Sequence, residues 1–140
     1  MNVFDDILDN LPNGFHDALL KSVFVNYEAD EIVLSLDVCV GTPDDPILER
    51  RDEYKPGKLE FFGIQFFISE APNRTSIFQN EAKPMIDIEG IETLPDNLRP
   101  NLPTVNRNDF FAVWVYLNNF NSFLYICAQS AKFTFNDKDN

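Results

Sequence analysis

A strict alternation of apolar and polar side chains between residues 31 and 40 limits the folds open to this chain more than any other feature. The apolar positions of this run are Ile32, Leu34, Leu36, Val38 and Val40. Side chains alternate between the two faces of a β-strand, so the pattern predicts a strand with one buried face. Residues 19–27 show the same period, and only Glu28-Ala29-Asp30 separates the two runs. We therefore expect an antiparallel β-hairpin.

Further apolar runs extend this prediction along the chain. They predict strands at residues 59–68, 85–91, 110–117, 122–128 and 131–135. Most connections are short, which favours antiparallel neighbours and leaves no room for crossover helices. The expected fold class is mainly β, with α+β at the margin. We expect about seven mostly antiparallel strands in a sandwich or a strongly curved sheet.

Little helix is expected. Helical spacing of apolar residues predicts a short N-terminal helix over residues 3–11. Residues 47–51 allow either a short helix or part of a long loop, and a helical turn is expected near residues 77–78. Residues 94–108 contain three prolines and predict a long surface loop. A length of 140 residues fits one domain spanning 1–140, with residues 136–140 as a fraying polar tail.

The charge of the chain is strongly negative. Twenty-three carboxylates and eleven Lys and Arg residues give a net charge of −12 at pH 7. Such a field repels nucleic acids and anionic membranes and attracts cationic proteins. The charge therefore predicts a cationic protein partner and argues against nucleic acid or a membrane as partners. Solubility alone is the alternative explanation.

The location predicted from the sequence is the cytoplasm. The acidic start lacks the basic region and apolar run of a secretory signal, and no apolar stretch approaches the ~18 residues of a membrane span. Cys39 and Cys127 lie in strand patterns, where we expect reduced thiols, although a disulfide between them is the alternative.

The chain has few residues suited to metal or nucleophilic chemistry. With one histidine and no CxxC spacing, we expect no metal site, no cofactor and no catalytic residue. His16-Asp17 allows two interpretations. His16 could be a general base, or either side chain could hydrogen-bond nearby backbone and fix a helix-to-strand corner, which the diverging directions of adjacent side chains favour.

Besides the loop around Pro95–Pro103, two segments are candidate binding regions. One is an acidic loop before the predicted strand at residue 59, with the carboxylates Asp44, Asp45, Glu49, Asp52 and Glu53. The other is an aromatic run in which Trp114 and Tyr116 share one strand face while apolar residues occupy the other. Both faces of that strand are buried, or one of them contacts a partner or a second copy.

A short phrase connects the chain with a known group. The stretch Leu11 to Leu20, with Gly14-Phe15-His16-Asp17-Ala18 at its centre, resembles small bacterial proteins that open with a G-F-H-D-A-x-L phrase and a β-hairpin. The group includes uncharacterised proteins and relatives of polymorphic-toxin immunity proteins. The resemblance implies an all-β or α+β protein without enzymatic activity that binds a toxin domain.

Three functions follow as hypotheses. The first is a non-enzymatic acidic binding protein, an immunity protein that neutralises a basic toxin domain. The second is an assembly subunit that forms a homodimer or larger homo-oligomer through its aromatic strands. The third is a small hydrolase-like enzyme that uses His16.

Overall fold

The protein is mainly β, as the sequence predicts. The computed structural model describes residues 3–71, 85–98, 102–103, 109–118 and 120–136. The helices are α1 (Val3–Asp9) and α2 (Leu48–Arg51), with a 3₁₀ turn at Ile91–Thr93. The strands are β1 (Ala18–Asn26), β2 (Glu31–Cys39), β3 (Tyr54–Ser69), β4 (Met85–Gly90), β5 (Phe111–Leu117) and β6 (Ser122–Phe135). No helix within these ranges has the length and apolar character needed to cross a bilayer.

The strands form one strongly curved sheet that closes on itself. Their order around the barrel is β1-β2-β3-β6-β5-β4, and every pair is antiparallel. Among the described residues, β1 pairs with β4 at Ala18 and Leu19, and this contact closes the barrel. The described part of the chain thus forms a barrel rather than the two packed sheets of a sandwich.

The described residues contain six strands rather than about seven, because the last two predicted strands are one. The polar pair Gln129-Ser130 was predicted to connect them, yet β6 continues through it, and Ser130 pairs with Phe62 of β3. β3 is longer still, with 16 residues against the 14 of β6, and has a register shift between Ile64 and Phe66, just after Gly63 with φ +67°. A bulge of this kind lets two long strands bend together around a barrel.

The core follows the predicted alternation. Ile32, Leu34, Leu36 and Val38 of β2 are all at most 1% exposed. Helix α1 adds Phe4, whose ring lies 6.0–6.5 Å from the rings of Phe15, Phe61 and Phe111.

Helix α1 is shorter than predicted and ends at Asp9 instead of residue 11. The Asn10 side chain donates to the Asp6 carbonyl and Pro12 disfavours helix in the preceding residue, which together end the helix early. Cys39 and Cys127 are both free. The helical turn expected at residues 77–78 and the tail at 137–140 lie outside the described residues, as does most of the loop expected at 94–108.

Candidate functional site

The corner between α1 and β1 presents His16 to solvent. Gly14 and Asp17 adopt positive φ, and backbone bonds from His16 to Asn13 and from Ala18 to Phe15 tighten the turn. Phe15 anchors it, because its ring is 1% exposed and packs on the ring of Phe4. The neighbouring His16 side chain remains 70% exposed. The corner is therefore fixed from below by a core aromatic residue.

Both nitrogens of His16 lie near carboxylates. Nδ1 is 2.7 Å from Asp87 Oδ1 on β4, and Nε2 is 3.6 Å from Asp17 Oδ2. The hydrogen bond to Asp87 and the charge of that carboxylate raise the pKa of His16, with smaller contributions from Asp17 and Glu89. The protonated imidazolium is thus favoured, whereas a general base must be neutral before it accepts a proton.

The corner is fixed mainly by residues that sequence reasoning missed. The partner of His16 is the side chain of Asp87, 71 positions away, rather than nearby backbone. Tyr54 donates its hydroxyl hydrogen to the Asp17 carbonyl at 3.3 Å. Asn13 Nδ2 donates to the carbonyls of Cys39 at 3.1 Å and Gly41 at 2.8 Å. The only sequence signal among these residues is the alternation that directs Asp87 outward.

The acidic loop, residues 40–53, closes beside this corner. The Val40 N–H donates to the Glu53 carbonyl at 2.8 Å, and Arg51 Nε donates to the Asp45 carbonyl at 2.7 Å. Gly41 lies so close to the loop's end that an added Cβ would be 2.1 Å from the Arg51 carbonyl oxygen. The loop therefore has a defined shape that requires glycine at this position.

The surface of the acidic loop combines free charge with exposed apolar side chains. Asp44, Glu49, Asp52 and Glu53 are exposed and Asp45 is half-buried. Within the described ranges, none of these five carboxylates lies within 4 Å of a cationic group; the ion pairs found there join His16 with Asp17, His16 with Asp87, and Lys21 with Asp37. At the centre of the loop, Ile47 is 43% exposed and Leu48 is 66% exposed.

A cavity of about 480 Å³ lies between the corner and the acidic loop. Its lining includes His16, Asp17, Leu48, Arg51 and Tyr54. Burial raises the pKa of Tyr54, and the negative charges of Asp17 and Asp52 add to the effect, so its phenol stays a neutral donor. Among the described residues, no group of three or more His, Cys, Asp or Glu side chains could hold a metal ion.

The aromatic candidates lie on the outer face of β5, next to the partner of His16. Tyr116 pairs with Asp87 across strands, and Trp114 pairs with Glu89. Both rings are half-buried and contact the ring of Phe123 on β6, at centroid distances of 4.7 Å for Tyr116 and 5.9 Å for Trp114. β4 thus joins the aromatic face to the corner, and the cavity joins the corner to the acidic loop. We call this combined surface the acidic end.

The second cysteine is not among the residues that line the cavity. Cys127 is buried on β6, and burial raises the pKa of its thiol. A thiol in this state is a poor nucleophile.

Comparisons with known proteins leave the family open. No protein-family model matches the chain, and no curated protein matches it. Among solved structures, it is similar to the crystal structure of an uncharacterized protein from Neisseria gonorrhoeae. The two chains are 13% identical, the match covers 85% of this chain and 91% of that one, and the TM-score is 0.45. The function proposed for this chain therefore rests on its own residues and geometry.

Proposed function

We propose that the chain is a non-enzymatic binding protein whose acidic end takes a cationic protein partner. The observation that carries the proposal is the arrangement of the acidic loop, in which exposed Ile47 and Leu48 lie among four exposed carboxylates that have no ion-pair partner in the part of the chain that the structure describes. Stable protein interfaces combine a small apolar centre with a polar rim in the same way.

Each part of this surface has a different role in binding. The carboxylates attract a basic partner and raise the rate of encounter, an effect that salt screens over about 8 Å at physiological ionic strength. Leu48 and Ile47 supply apolar area that leaves water on contact, at roughly 25 cal/mol per Å². Because hydrogen bonds already fix the loop, binding loses little conformational entropy.

The aromatic face extends the same surface. Trp114 and Tyr116 lie beside Glu89 and Asp87, so a Lys or Arg of the partner could contact a ring and a carboxylate together. A homo-oligomer formed through this face has less support, because the polar atoms of both rings are bonded within the chain. Trp114 Nε1 donates to Thr93 Oγ1 at 2.9 Å, and the Tyr116 hydroxyl donates to Asn121 Oδ1 at 2.8 Å.

The binding hypothesis is also favoured over a hydrolase that uses His16. A ring with both nitrogens near carboxylates is suited to an ion pair. The specific form of the proposal is an immunity protein that covers a basic toxin domain. The G-F-H-D-A-x-L phrase and the expected basic partner both favour this form. A cytoplasmic location belongs to it, and the two free cysteines support that location.

Capture from a lysate of the source organism, followed by titration with the purified captured protein, tests the proposal. We expect a protein of high pI that binds the wild type at about 50 mM salt and loses most of its affinity at about 500 mM. Glu49→Lys/Asp52→Lys should weaken binding at least about tenfold, which corresponds to the loss of two charge contacts at an interface.

The matched control is Asp9→Lys/Glu28→Lys, which changes the net charge by the same amount at exposed sites outside the acidic loop. It should weaken binding much less. Equal losses in the two variants would reduce the effect to net charge and reject the acidic loop as the contact surface.

A further inference from the structure

Among the residues that the structure describes, the outer edge of β1 has a neighbouring strand only at Ala18 and Leu19. β1 pairs with β2 from Leu19 to Asn26, but with β4 only at Ala18 and Leu19. Within the described part of the chain, the edge from Leu20 to Asn26 therefore presents backbone N–H and C=O groups without ladder partners. Such an edge is a template for another strand.

The side chains from Ser22 to Tyr27 are uncharged, and several of them expose apolar surface. Val23 is 36% exposed, Phe24 is 60% exposed and Tyr27 in the adjoining turn is 92% exposed. No residue from 22 to 27 is charged, in a chain with a net charge of −12. Native edges are commonly protected by charge, proline or a covering segment. Here the one charge is Lys21, which is bound to Asp37 at 2.8 Å and lies at a register shift between Leu20 and Ser22.

We propose that this edge pairs with the same edge of a second copy, antiparallel, about a two-fold axis at Phe24. A two-fold axis perpendicular to the sheet keeps outer side chains with outer ones, so paired positions must share a face. Val23 and Val25 face inward, since they pair with buried Leu34 and Ile32, and Phe24 faces outward.

The residues of the edge match themselves in this register. Phe24 meets Phe24 of the second copy, Val23 meets Val25, and Ser22 meets Asn26. Lys21 meets Tyr27, next to Glu28 of the second copy. Aromatic and apolar cross-strand pairs each contribute roughly 0.2–1 kcal/mol beyond the backbone bonds.

The same geometry limits the assembly to two copies. An isologous contact buries the same patch on both subunits, so no copy of that patch remains for a third chain. The register shift at Lys21 marks where the regular edge ends. Two chains of charge −12 repel each other, and residues 22–27 add no carboxylate to the contact. Salt should therefore strengthen the dimer, whereas it weakens binding of a cationic partner at the acidic end. The dimer does not depend on the proposed function.

Sedimentation velocity of the whole chain, from about 10 μM to about 1 mM protein, tests the proposal at about 50 and about 500 mM salt. We expect a monomer–dimer equilibrium whose dimer fraction rises with salt. Phe24→Lys should remove the dimer, and circular dichroism should show that it keeps its fold, because the side chain is exposed. Leu48→Lys, an equally drastic change at the acidic end, should leave the dimer unchanged.

Oxidative cross-linking tests the register. In Phe24→Cys the two introduced thiols lie opposite each other at the two-fold axis, within the Cα separation of a disulfide. It should form a covalent dimer, while Tyr27→Cys, more exposed but opposite Lys21, should not. The proposal is overturned by a monomer at every concentration and salt, by a dimer that survives Phe24→Lys, by equal cross-linking of both cysteine variants, or by open-ended assembly.

Discussion

The two ends of the β1–β2 hairpin present surfaces of opposite character. At the acidic end, Asn13 and Tyr54 bond the corner to its neighbours, and the carboxylates of the acidic loop face water. At the other end, no described strand pairs with β1 beyond Leu19 on its outer edge, and Phe24 is exposed on that edge, whose residues 22–27 carry no charge. Exposure alone therefore does not define a binding surface. The charge of the acidic loop attracts an unlike partner, and the absence of charge from residues 22–27 allows a like one.

The largest expected effect is a difference in stability between alanine variants of two phenylalanines, Phe15 at the acidic end and Phe24 at the other end. Phe15→Ala should lower the free energy of unfolding by about 3–5 kcal/mol, because it empties a buried site against Phe4 and Phe133. Phe24→Ala should cost below about 0.5 kcal/mol under monomeric conditions, since its ring is largely exposed already. Urea unfolding measures both values. Similar losses would contradict the assignment of one residue to the core and the other to the surface.

A smaller loss is expected from the backbone of the acidic loop. In Gly41→Ala the new methyl group overlaps the Arg51 carbonyl, so the loop must move, at a cost of about 1–3 kcal/mol. Binding of the cationic partner should weaken as well. Ser22→Ala on the exposed edge of β1 is the control and should stay within about 0.5 kcal/mol in urea unfolding. If Gly41→Ala left the midpoint of urea unfolding unchanged, the acidic loop would not be closed as described.

Removal of the Asn13 side chain should act in the same direction and more weakly. Asn13→Ala loses the two bonds to the carbonyls of Cys39 and Gly41, and we expect a loss of about 1–2 kcal/mol in urea unfolding. Hydrogen exchange should quicken around residues 39–41 but not along residues 20–26. Faster exchange at both ends would show that the ends are coupled.

The smallest expected effect is the pH dependence contributed by His16. Its pKa is raised in the folded state, so its stabilising contribution is fully present below its unfolded value of about 6.5 and is lost as the pH rises through the raised folded pKa. Because the ring is largely exposed, the contribution should stay below about 1 kcal/mol. His16→Gln should thus match the wild type at alkaline pH and be slightly less stable at pH about 5–6. If the stability difference between the wild type and His16→Gln grew as the pH rose, the result would contradict the ion pair with Asp87.

Sequence reasoning succeeded where burial follows local order. β2 is paired on both sides, so its alternation translates directly into buried and half-buried positions. Sequence reasoning was wrong at Gln129-Ser130, where a polar pair predicted a break between two strands. The backbone of these residues instead continues the ladder with β3. The contact between His16 and Asp87 depends on the register of β4 against β1, which barrel closure sets across 71 residues and no local pattern encodes.

Hydrogen exchange of the protein bound to its captured cationic partner tests the central claim most directly, because it reads both ends of the hairpin in one experiment. Amides in the acidic loop and around His16 should gain protection on binding, while those at residues 20–27 should not change at constant protein concentration. Protection confined to residues 20–27, with an unchanged acidic loop, would contradict the division of roles between the two ends.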